Sequence, residues 1–79
     1  MGDAVVGRVL WRAVEDSDFR RRAIQNLGSA LAEDGFILSD DEMRELRNCW
    51  EPIQALSERA AYERIMANAR GYRRELRHK

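Results

Sequence analysis

Seventy-nine residues carrying 14 basic and 14 acidic side chains, with one Pro and one Cys, describe a single small domain of no net charge. A chain this short buries only about 60% of its unfolded surface, so a partner or self-association is a natural stabiliser of its core. One Cys excludes an internal disulfide, no apolar run approaches the roughly 18 residues of a membrane span, and no basic surplus marks a nucleic-acid surface.

Helical periodicity dominates the chain, which predicts an all-α fold. Asp3 is a candidate N-cap for a first helix from Ala4 to about Glu15. Val5, Val6, Val9, Leu10 and Ala13 share one arc of about 140° on it. Trp11 lies outside that arc, where it either packs at the edge of the core or anchors a partner.

Asp16-Ser17-Asp18 breaks the pattern and can cap a second helix. Phe19, Ala23, Ile24, Leu27, Ala30 and Leu31 again share one face, so this helix either runs unbroken to about Glu33 or splits at Gly28. Arg20-Arg21-Arg22 reads as a solvated first turn. Cations are unfavourable at a helix N-terminus, which calls for an acidic contact, internal or external.

Gly35 suits the left-handed position that ends a helix. Phe36-Ile37-Leu38 crosses to the next one. Ser39-Asp40-Asp41-Glu42 is a strong start signal, with Ser at the N-cap and Glu three residues on. Leu38 before the cap and Met43 at the fourth helical position form a hydrophobic staple. Met43, Leu46, Cys49 and Trp50 share a face, and Ile53, Leu56 and Ala60 continue its phase past Pro52. That continuity predicts a kinked continuation, or a restart with Pro52 in the first turn.

The phase then changes. Tyr62, Ile65, Met66, Ala69, Tyr72 and Leu76 form a stripe roughly opposite the one through Ile53 and Ala60. Either the helix breaks near Ser57, which could cap a new one over ordinary core, or the last helix faces a partner. Together these readings give one domain over residues 1–79, a small bundle of four to five helices, with residues 72–79 a fraying basic tail.

Charge is segregated along the chain. Residues 1–30 carry five Arg against four acids (+1), residues 31–58 two Arg against eight acids (−6), and residues 59–79 six Arg and one Lys against two acids (+5). Such segregation points to internal complementarity between acidic and basic helices. DNA or RNA binding is not expected, and a helix beginning Asp-Asp-Glu would bring negative charge to phosphate.

Catalysis needs a nucleophile or metal with an oriented acid or base nearby. Cys49 falls on an apolar face, where a buried, inert thiol is usual. His78, the only imidazole, stands one residue from the end. Asp40, Asp41, Glu42 and Glu45 are explained by helix capping, and they lack the alternating ligands of a calcium loop. No Gly-rich phosphate loop follows a strand. No catalytic, cofactor or metal residue is expected, and no enzyme activity in isolation. The lone Cys and the lack of a signal pattern predict a cytoplasmic protein.

Asp16-x-Asp18-Phe19-Arg20, Ala30-Leu31 and Gly35-Phe36-x-Leu38-Ser39-Asp40-x-Glu42-Met43 resemble a group of small helical domains. One branch is the small subunit of extradiol dioxygenases of the protocatechuate 4,5-dioxygenase type. The other comprises leader regions of modified ribosomal peptides, including Nif11-like leaders and the binding domains of split borosin precursors. Asn48-Cys49-Trp50 partly echoes an Arg-Asp-Trp of the dioxygenase subunit, whose pocket-forming Gly-Gly-Asn-like segment is replaced here by Leu56-Ser57-Glu58-Arg59. The chain ends in Arg73-Arg74-Glu75-Leu76-Arg77-His78-Lys79, unlike a leader's modifiable core. What both branches imply is a helical module that docks onto an enzyme.

The expected function is therefore a non-catalytic interaction module, a leader-like accessory or adaptor for a peptide-modifying or other enzyme. The alternatives are an iron-dependent dioxygenase small subunit and a stand-alone homodimer. The expected contact residues are Trp11, Phe36, Trp50, Tyr62, Ile65, Met66, Ala69 and Tyr72. The partner is a protein, an enzyme subunit or a second copy, with no membrane involved.

Overall fold

Five helices follow one another: α1 Asp3–Glu15, α2 Ser17–Gln25, α3 Leu27–Glu33, α4 Asp40–Gln54 and α5 Glu58–Ala69. The computed structural model describes the backbone of residues 3–72 and the side chains of residues 5–72. Among the described residues there is no strand, so the fold is the small all-α bundle that the periodicity predicts. The expected basic tail beyond Tyr72, with Leu76 and His78, lies outside the described residues.

Each helix boundary has a chemical cause. Asp16 is extended (φ −124°, ψ 103°), and its carboxylate accepts from the Phe19 amide at 3.1 Å, starting α2. Arg20 reaches back across this junction. Its Nη1 donates to the carbonyls of Ala13 at 2.7 Å and Val14 at 3.3 Å, in the last turn of α1, where carbonyls lack helical partners. The misfit of three cations at the start of α2 is thereby resolved internally. Arg20 caps α1 and lies over the Tyr62 ring, with its guanidinium carbon 4.8 Å from the ring centroid. Arg21 pairs with Glu58 and Arg22 with Glu33 and Asp34.

The second helical stretch does split, two residues before Gly28. Asn26 is extended (φ −157°, ψ 97°) and serves both sides of the break. Its amide donates to the Arg22 carbonyl, ending α2, and its side chain accepts from the Ser29 amide at 3.1 Å, starting α3. An Asn oxygen that competes for nearby amides breaks a helix more firmly than a glycine, which only weakens it.

At the far end of α3, Gly35 takes φ +79°. The Phe36 amide donates to Leu31 and the Gly35 amide to Ala32, which together form a Schellman motif. Ser39 and Glu42 close a reciprocal capping box on α4, with bonds of 3.2 and 2.7 Å. α4 then runs through Pro52 to Gln54, so Ile53 continues the apolar phase on the same helix, whereas Leu56 lies exposed past its end and Ala60 falls on α5. The later change of phase is a helix break: Ser57 caps α5 by accepting from the Ala60 amide at 3.3 Å.

α1 is the hub, packed against α2, α4 and α5, while α4 also packs on α5 and α2. The core joins Val6, Val9, Leu10 and Ala13 of α1 with Phe19 and Ala23 of α2, Leu46, Trp50 and Ile53 of α4, and Ala61, Ile65 and Ala69 of α5. The Cα radius of gyration is 11.6 Å, equal to the roughly 11.6 Å that size scaling gives for a compact domain of this length. Trp50 fills the centre at 1% exposure. Its Nε1 donates to the Ala23 carbonyl at 3.1 Å, in the last turn of α2, where carbonyls need partners from outside the helix.

α1 is approached unusually closely by Tyr72, three residues past the end of α5. A Cβ added to Gly7 would stand 2.8 Å from Cβ of Tyr72. Tyr72 ties three helices together there: its carbonyl accepts from Trp11 Nε1 at 3.3 Å, and its hydroxyl donates to a Glu45 carboxylate oxygen.

Candidate docking surface

The structure separates the eight expected contact residues by depth. Trp50, Ile65 and Ala69 are core side chains at 1, 0 and 0% exposure, so the accessible surface does not include them. Trp11, Phe36, Tyr62, Met66 and Tyr72 are half-buried. Of these, Trp11 and Tyr72 bond to each other, Tyr62 lies beneath Arg20, and Phe36 packs on Phe19 with ring centroids 5.9 Å apart. Trp11 and Tyr72 are thus brought together, while Tyr62 and Phe36 pack on neighbours outside this set. The stripe on α5 divides instead, its buried half packing in the core and its half-buried members lining the edges.

The accessible apolar surface lies elsewhere, on the connection from α3 to α4. Ile37 is 87% exposed, the most exposed large hydrophobic side chain among the described residues. Its neighbours explain why. Phe36 occupies the position after the left-handed glycine and turns into the core, as the Schellman motif favours. Leu38 precedes the Ser39 cap and also packs against the core, as a staple residue does. Ile37, between them, is left with no folding duty. Three apolar residues in a row between a helix-ending Gly and a capping Ser contain this signal. Two have local partners by rule, and the third does not.

Both sides of the turn are fixed. Asp34, whose side chain is 15% exposed, takes Arg12 at 2.7 Å and Arg22 at 3.4 Å, while Glu33 takes Arg22 at 2.8 Å. The Arg12 guanidinium also lies over the Phe36 ring, 5.6 Å from its centroid. Among the described residues, the cross-helix ion pairs thus join cations of α1 and α2 to acids of the middle third. The Glu33 hydrogen bond first, and Asp34 after it, raise the Arg22 pKa against a lesser opposing effect of burial.

Between α3 and the start of α4 lies an open groove of about 220 Å³ whose walls include Leu31, Phe36, Leu38, Met43 and Asp40, without Ile37. Small-molecule sites usually run to about 300–1,000 Å³, so this groove is smaller than such sites. A second groove, of about 290 Å³, lies between the α2–α3 junction and α4, with Gln25, Asn26, Arg47, Glu51 and Gln54 along it. Leu27 and Trp50 also line it, but both are buried core residues, and polar side chains make up most of its walls.

Reactive groups are not assembled anywhere in the described residues. Cys49 is half-buried, and its Sγ donates to the Glu45 carbonyl at 3.4 Å. Burial raises its pKa and the Glu45 charge adds to that rise, against a backbone hydrogen bond that lowers it. The thiol is thereby held away from its nucleophilic form. Among the described residues no cluster of three His, Cys, Asp or Glu side chains could hold a metal ion. No helix there is long and apolar enough to cross a membrane.

Comparison of the chain with protein-family models, curated proteins and solved structures returns no match. The site is therefore argued from its own geometry.

Proposed function

We propose that this chain is a non-catalytic helical interaction module, a leader-like accessory or adaptor that docks onto a peptide-modifying or other enzyme. The observation that carries this reading is Ile37. A large apolar side chain stands 87% exposed on a turn fixed by a Schellman motif on one side and a capping box on the other. An apolar groove lined by its chain neighbours Phe36 and Leu38 opens between α3 and α4. A rigidly presented hydrophobic residue loses little entropy on binding, which favours a partner surface over a mobile loop.

The motif behind the family resemblance supports docking in general. Asp16, Gly35, Ser39 and Glu42 are each engaged in capping, so they build the scaffold and leave recognition to the residues between them. A homodimer through the α5 stripe is disfavoured, because Ile65 and Ala69 at its centre are spent on the core.

Paired affinity capture from an extract of the native cell tests the proposal, with wild-type chain and Ile37→Glu as baits. An enzyme held by wild type and lost by the variant is the expected outcome. Equal capture by both baits, or capture of nothing, overturns it.

A further inference from the structure

We draw no further inference here: the strongest candidate, the apolar groove between α3 and the start of α4 walled by Leu31, Phe36, Leu38 and Met43, belongs to the surface already described, and nothing in the structure shows what covers it.

Discussion

Gly7→Ala tests the close contact between α1 and Tyr72, just past the end of α5. In an exposed helix the change would gain up to about 1 kcal/mol of helix propensity. Here the new Cβ meets Tyr72 Cβ at 2.8 Å, Cγ at 3.3 Å and Cδ2 at 3.4 Å. The first of these atoms sits next to the backbone, so rotating the ring cannot relieve the clash. The segment after α5 must move, which disturbs the Tyr72 links to Trp11 and Glu45. Overpacking of this kind costs about 1–3 kcal/mol. Gly28→Ala is the control, because its added Cβ would meet only the Asn26 side chain, at 3.7 Å. Comparing the two variants largely cancels propensity and leaves the packing cost, so Gly7→Ala should be about 1–3 kcal/mol less stable than Gly28→Ala. Urea denaturation followed by far-UV circular dichroism measures this, with an unchanged m-value confirming a pure stability effect. In a Tyr72→Gly background, where the opposing Cβ is gone, the penalty should disappear. Equal midpoints for the two alanine variants in the parent background would refute the close approach of Tyr72 to α1.

Other perturbations separate scaffold from surface. Gly35→Ala forces a side chain into a left-handed backbone (φ +79°) and should cost about 1–2 kcal/mol by denaturant melt. An unchanged midpoint would show that the turn has another conformation open to it. Ile65→Glu places a carboxylate at a fully buried position and should cost about 4 kcal/mol or more. That rivals the roughly 4–12 kcal/mol expected for a domain of this length, so far-UV helicity should collapse, and native helicity would show that this face is not core. The Cys49 thiol, raised in pKa by burial, should be modified more slowly in the native protein than in urea at mildly alkaline pH. Its contribution to stability is complete below the ordinary thiol range and is lost as pH rises through the raised value. Native and unfolded modification rates that coincide would contradict this. Ile37→Ser should change stability by less than about 0.5 kcal/mol, as surface substitutions do, and a larger loss by denaturant melt would give Ile37 a folding role.

What the chain reveals without coordinates is local. Asp16, Gly35, Ser39, Glu42 and Ser57 act through atoms a few residues away, so their spacing identifies them. The break at Asn26 is harder to read, because it follows from an Asn side chain outcompeting a helix that the apolar phase would carry through. Trp50 and Ile65 lie on the apolar helical faces that their spacing gives them, but periodicity says only that a face is apolar. Whether it meets the core or a partner depends on how α1, α4 and α5 come together. Arg20 is a tertiary matter too: its triplet reads as a misfit at the start of α2 until the carbonyls of α1 are seen beside it.

That distinction bears on how a domain this small accommodates a function. Nearly every large apolar side chain must serve the core, since the surface buried per residue is low. Most candidate anchors are accordingly consumed, Trp50 by filling the centre and Tyr72 by clasping three helices. A side chain as exposed when folded as when unfolded neither gains nor loses stability there, so Ile37 is free to be set by recognition alone. The residues around it are not free. Asp34, Gly35, Ser39 and Glu42 fix the direction in which it points, and their duties are stability terms. Changes at these four should therefore weaken folding and docking together, whereas changes at Ile37 should weaken docking alone. The connection from α3 to α4 thus divides its work by position, with rigid caps at its ends and, between them, the residue proposed here for recognition.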